Sequence, residues 1–227
     1  MNPTAVRHPI YPAATGAAPE ERGRNAVMTL STPVSEVRLQ PHDALLVADI
    51  QNDFLPGGAL GVPRGDEIVP VVQRYIATFH SRGLPIFATR DWHPPDHCSF
   101  QQHGGIWPTH CVAGSPGADP PPNFQLPPST VIIHKATARD KEAYSAFQDT
   151  PLDDRLRSAG VGRLYVGGLT TEYCVLNTVK DAVARGYAVV LLSDAIRPVN
   201  LHPDDGRKAE EEMVGLGAVP VRWERLA

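Results

Sequence analysis

The feature that most constrains this chain is an alternation that begins at Asp43: short apolar runs separated by stretches of helical spacing. ALLVADI (44–50), LPIFATRD (84–91), TVIIHK (130–135), GRLYVGGL (162–169), AVVLLSDA (188–195) and VPVRW (219–223) have the length and composition of strands. Residues 68–83 instead repeat apolar positions at three- and four-residue intervals and stop at Gly83. Residues 152–160, 173–185 and 204–218 read as helices on the same grounds. A strand apolar throughout its length must be covered on both faces, and helices between strands provide that cover. The pattern therefore predicts one doubly wound α/β domain, a six-stranded and mostly parallel sheet with helices on both faces.

Composition sharpens the boundaries. At 227 residues the chain falls between one domain and two at ~150 residues per domain. Its 23 prolines are unevenly placed, with six in the first 41 residues and nine between Pro94 and Pro128. Residues 1–36 are rich in Pro, Ala, Gly and Thr and carry neither period, so they read as a disordered tail preceding a domain at 37–227. That segment has no apolar core of the secretory type, and Met28 offers a second start. A net charge of −4 without a basic patch argues against nucleic acid, and no apolar run reaches the ~18–20 residues of a membrane span. Three cysteines, an odd number, favour a reducing compartment over a disulfide framework and suggest a cytoplasmic protein. Residues 92–129 interrupt the alternation, and a loop that long inside a domain usually carries function.

In open parallel sheets, ligands bind beyond the carboxyl ends of the strands. Three strands end there in Asp49, Asp91 and Lys135, and the fourth leads through GGLTTEYC to Cys174 at the start of a helix. Singly, each has an ordinary reading as turn cap, surface charge or small buried hydrophobe. Together on one rim they suit a nucleophile and its proton carrier. A cysteine in the first turn of a helix beside Lys135 is expected to have a lowered pKa, with Asp49 moving the proton. Backbone N–H groups around Thr170 and Cys174 offer an oxyanion site, which makes acyl transfer the expected reaction class.

The second constellation lies in the long loop. Asp91 and His93, two apart in extended chain, project to one side, and His110 can complete a two-histidine, one-carboxylate metal site. Four of the nine histidines fall within 18 residues there. A rival set, His97, Cys98, His110 and Cys111, has the donor types of structural zinc but poor spacing.

These segments resemble the nicotinamidase/pyrazinamidase family of isochorismatase-like cysteine hydrolases. The resemblance spans about residues 43–222 and rests on DIQNDFLPGGAL (49–60), DWHPPDHCSF (91–100), GGIWPTHCVAGSPGA (104–118), HKATARDKEAYSAF (134–147) and VGGLTTEYCV (166–175). It implies that Cys174 attacks a carboxamide, that Asp49 shuttles the proton and Lys135 completes the triad, and that a thioester forms and is hydrolysed. It also implies one divalent ion (zinc, iron or manganese) on Asp91, His93 and His110, with His97 as a candidate fourth ligand. Phe54, Trp107, Tyr144 and Tyr173 match pocket aromatics, and a cis peptide is implied at Leu169–Thr170. The implied activity converts nicotinamide, and pyrazinamide, to the acid and ammonia, within NAD salvage. The alternative is a cysteine amidohydrolase of the same superfamily acting on another small amide or carbamoyl compound. Glu172 stands where the family commonly has Asp, and Thr170–Thr171 where its small residues vary. The insert 118–128 is unmatched. Association into a homo-oligomer through the helices or this insert is compatible with the sequence.

Overall fold

The computed structural model describes residues 36–227. Apart from Glu36, the expected tail lies outside the described residues. In chain order the elements are β1 (Asp43–Ala48), α1 (Val69–Ser81), β2 (Ile86–Asp91), β3 (Val131–Lys135), α2 (Leu152–Ser158), β4 (Arg163–Leu169), α3 (Leu176–Ala184), β5 (Ala188–Arg197), α4 (Asp205–Gly215) and β6 (Val219–Val221). The strands form one sheet in the order β3-β2-β1-β4-β5-β6, and every pairing is parallel.

The side-chain alternation of β1 builds the layers. Ala44, Leu46 and Ala48 face a core shared with Leu152 and Leu156 of α2, Val179 of α3 and Met213 of α4. Leu45 and Val47 face the opposite core, with Val72, Ile76 and Phe79 of α1. Each of these α1 side chains contributes about 1.5–3 kcal/mol on full burial, so packing rather than intrinsic propensity holds the helix. Pro70 sits in its first turn, where a missing N–H costs nothing.

The chain proceeds from β1 outward through β2 to β3, then returns to β4 on the other side of β1 and continues to β6. The order reverses between β1 and β4, which opens a crevice beyond their carboxyl ends. Their register runs from Asp43 opposite Arg163 to Ala48 opposite Gly168. A Cβ on Gly168 would sit 2.0 Å from the Ala48 carbonyl oxygen, and its φ is +123°. Only glycine lets the two strands close at this rim.

One expectation needs correction. The helix predicted over 173–185 does not begin as an α-helix: Thr171–Val175 is a π-helical turn, and the α-helix starts at Leu176. Residues 92–129 lack regular elements but are pinned by bridges His93–Val112 and Phe100–Trp107 and by a 3-10 turn at Gln101–His103. Among the described residues, no helix is long and apolar enough to cross a membrane.

Candidate active site

Asp49 follows β1 directly with φ +48°, a left-handed residue that turns the chain off the sheet. Its Oδ1 accepts the Thr89 hydroxyl at 2.7 Å, and its Oδ2 lies 3.1 Å from Lys135 Nζ. Lys135 ends β3 and is buried. Its ammonium also donates to Asp91 Oδ1, to the Ala143 carbonyl at 3.2 Å, and to Cys174 Sγ at 3.4 Å. Asp49, Asp91 and Cys174 each place a ligand-type atom within 4.8 Å of the others, all buried. Lys135 reaches all three, through ion pairs to Asp49 and Asp91 and a hydrogen bond to Cys174, so this cluster is built around an ammonium.

Gln51 fixes the second carboxylate. Its Nε2 donates to the Asp91 carbonyl and to the Ala118 carbonyl, both at 2.9 Å, and its Oε1 accepts the Asp91 N–H at 2.8 Å. The end of β2 is thereby tied to the loop after β1 and to the long insert.

The electrostatics revise one expectation. Burial pushes the Cys174 thiol well above its usual pKa, and the pull of Lys135 does not overcome it. The sequence puts Cys174 in the first turn of a helix, where a lowered pKa is expected. The π-helical turn instead buries it among carboxylates, where a neutral thiol is favoured. Burial also raises the Asp49 carboxyl against the attraction of Lys135, which suits a group that must accept a proton. Burial opposes ionisation of Asp91 as well, yet Lys135 and His93 hold it well below the ordinary carboxylate range. Lys135 pays a desolvation penalty, but Asp49 and Asp91 keep it firmly protonated.

Asp91, His93 and His110 form a separate buried group whose ligand-type atoms lie within 4.8 Å of one another. His93 Nε2 is 3.7 Å from Asp91 Oδ2, and both ring nitrogens of His93 are buried without a hydrogen-bond partner. An orphaned buried imidazole is costly, and a cation ligated by one of its nitrogens offsets part of that cost. His110 donates from Nδ1 to the Pro108 carbonyl at 2.8 Å, leaving the Nε2 lone pair free, and burial lowers its pKa. These residues fit a single divalent ion. Asp53 supports them from the next turn, its Oδ2 accepting the Cys111 N–H at 2.7 Å.

His97 is not part of this group. Its ring lies tilted, with its centroid 4.3 Å from that of His93, but Nε2 donates to the Lys141 carbonyl at 2.9 Å and Nδ1 accepts the Ser99 hydroxyl at 2.7 Å. Both ring nitrogens are engaged. The rival set with Cys98 and Cys111 does not converge either: neither thiol belongs to a metal-type cluster among the described residues.

The pocket above Cys174 has about 380 Å³ of space between its walls, counting the part open to solvent. All four predicted aromatics line it. Trp107 Nε1 donates to the Tyr144 hydroxyl at 2.9 Å, and the Tyr173 ring packs against both. Phe54 meets His110 edge-on from the other side. The Leu169–Thr170 peptide is cis, and Thr170 is in the wall. Sequence reasoning missed Leu60, Glu142 and Val199. Glu142 had a signal, since it lies two residues before Tyr144 in a non-helical segment. Val199 follows the carboxyl end of β5, so the strand-end rule reaches it as well.

The fold and this rim define the class: a doubly wound α/β protein with a cysteine, two aspartates and a lysine at its topological switch point. The chain belongs to the isochorismatase family, whose isochorismatase domain matches residues 43–225. It is 41% identical over 199 residues to the nicotinamidase of Escherichia coli strain K12, spanning 78% of this chain and 93% of that one. It is 36% identical over 181 residues to the nicotinamidase/pyrazinamidase of Mycobacterium tuberculosis, spanning 75% and 93%. Among solved structures, the pyrazinamidase of Pyrococcus horikoshii in complex with zinc matches with a TM-score of 0.78 at 50% identity, covering 81% of this chain and all of that one.

Proposed function

We propose that this protein is an amidohydrolase that converts nicotinamide to nicotinate and ammonia, and accepts pyrazinamide, through a thioester on Cys174. The observation that carries the reading is the contact of Lys135 Nζ with both Asp49 and Cys174 Sγ at the floor of an aromatic pocket. The relatives named above, all nicotinamidases or pyrazinamidases, support it.

Asp49 removes the thiol proton as Cys174 Sγ attacks the carboxamide carbon. Lys135 stabilises the sulfur anion formed in that step. Negative charge moves to the amide oxygen, where the backbone N–H groups of Thr170 and Cys174 receive it. Collapse breaks the C–N bond, and Asp49 returns its proton to the departing nitrogen as ammonia leaves. Asp49 then takes a proton from water, whose oxygen attacks the thioester carbon. The C–S bond breaks, the acid forms, and the thiol is restored with that proton.

Asp91, His93 and His110 would hold one divalent ion, and zinc, iron and manganese all suit two imidazoles and a carboxylate. When bound, the ion supplies a Lewis-acid anchor for a ring nitrogen and so favours heteroaromatic amides over aliphatic ones. Phe54, Trp107, Tyr144 and Tyr173 clamp the ring faces. A reducing compartment, the cytoplasm, suits an enzyme that depends on a free thiol.

The test is ammonia release from nicotinamide, pyrazinamide and a panel of aliphatic and carbamoyl amides, with wild type and Cys174→Ala. Wild type should turn over the pyridine and pyrazine amides, and Cys174→Ala should lose that turnover while keeping its fold and bound metal. Turnover by Cys174→Ala would refute the thioester. Preference for a carbamoyl compound would refute the substrate.

A further inference from the structure

The wall of the pocket contains a charge that the mechanism leaves unused. Glu142 lines it beside Tyr144 and Cys174 and is partly buried. Its Oε1 accepts the N–H of Ala143 at 3.0 Å. The carbonyl of that same Ala143 receives Lys135 Nζ, the group that touches Cys174. The carboxylate is therefore pinned one peptide away from the reacting centre. It forms no ion pair among the described residues: its neighbours Arg139 and Lys141 are engaged with Asp96 and Asp149. Asp91, the other carboxylate in the wall, is neutralised by Lys135. Among the described residues of the wall, Glu142 is thus the carboxylate without an ion-pair partner. Its field reaches the surrounding groups, adding to burial in raising the Tyr144 hydroxyl and the Cys98 thiol.

The reaction converts a neutral amide into a carboxylate in this same space, so the fixed charge acts differently on substrate and product. We infer that Glu142 is a specificity-determining residue that repels carboxylates, hastening departure of the acid product and excluding small amides that themselves carry a carboxylate. The inference rests on the amidohydrolase reading and gives its substrate a charge: neutral or cationic aromatic amides enter, and anionic ones do not. The Ala143 hydrogen bond restrains the side chain from swinging away, which is what a selective charge needs.

The experiment compares wild type, Glu142→Gln and Glu142→Lys, each full length and zinc-loaded. It measures the inhibition constant of nicotinate and the KM of nicotinamide at low salt and at high salt. Glu142→Gln should lower the ratio of nicotinate Ki to nicotinamide KM about fivefold at low salt, and Glu142→Lys further. The difference should shrink at roughly 1 M salt, where the screening length is ~3 Å. A merely structural role would move Ki and KM together and leave the ratio and its salt dependence unchanged, and that result overturns the inference. If wild type releases no ammonia from nicotinamide, the functional reading fails first and takes this inference with it. Normal wild-type turnover with an unchanged ratio in both variants overturns the inference alone.

Discussion

Replacing Lys135 with methionine tests the electrostatic core of the site more severely than replacing the nucleophile. The lysine is buried, and it compensates two buried carboxylates, Asp49 at 3.1 Å and Asp91 in direct contact. Methionine fills a similar volume but leaves both acids in the interior with no cation. Breaking a buried ion pair on one side costs about 3–5 kcal/mol. A domain of this size loses about 2–4 °C of Tm per kcal/mol, so a fall of about 6–20 °C is expected for the metal-free protein at pH 7. The pH dependence distinguishes this account from a packing defect. In wild type, the depressed pKa of Asp91 contributes stability above the ordinary carboxylate pKa, and that stability is lost as pH falls toward the folded value. In Lys135→Met both carboxyls titrate above their unfolded values, so each penalises the fold at pH 7 and the penalty is relieved as pH falls toward 5. The gap between wild type and variant, measured by urea denaturation, should therefore narrow from pH 7 to pH 5. Adding Asp49→Asn to the variant should recover part of the loss, because one of the two stranded charges is gone. A gap that is constant across pH, or below about 1 kcal/mol, would refute the reasoning.

Other consequences are more direct. His110→Ala should lose most of its bound zinc by elemental analysis, whereas His97→Ala should retain close to wild-type zinc, since both His97 nitrogens bond elsewhere. Asp53→Ala strands the buried Cys111 N–H and should cost about 1–3 kcal/mol in denaturant melts, with weaker zinc retention from the adjoining His110. Gly168→Ala places a Cβ 2.0 Å from the Ala48 carbonyl at a φ unfavourable to alanine. It should destabilise the fold by more than about 3 kcal/mol, read as a loss of soluble, cooperatively melting protein. Trp107→Phe removes the N–H that holds the Tyr144 hydroxyl and should raise KM for nicotinamide about fivefold, at about 1 kcal/mol per hydrogen bond, with a smaller change in kcat.

How much of this was legible in the sequence depends on the range of the interaction involved. Strand and helix identity is local: the run ALLVA (44–48) is apolar throughout because both faces of β1 are covered, and that shows in the residues themselves. The rim residues Asp49, Asp91, Lys135 and Cys174 were found because every strand of a parallel sheet ends on the same side, so position in a strand is already position in space. The proximity of Asp91 and His93 was legible for a similar reason, since they lie two residues apart in an extended segment; that His110 joins them is decided by the fold.

What the sequence could not supply was the competition between groups distant in the chain. His97 looks like a ligand beside His93 until Lys141, 44 residues away, takes its Nε2. Cys174 looks like an activated thiol at a helix start until the π-helical turn buries it and the desolvation penalty outweighs the pull of Lys135. Glu142 looks like one more charged residue in a polar segment until the fold turns it to the wall above Cys174. The sequence by itself determined the sheet, its direction and the chemistry collected at its rim, because periodicity and strand ends are properties of a segment. Tertiary structure alone decided which of those groups are charged, which lone pairs remain free and which acid goes unpaired, because desolvation and hydrogen-bond competition depend on every neighbour the fold brings near.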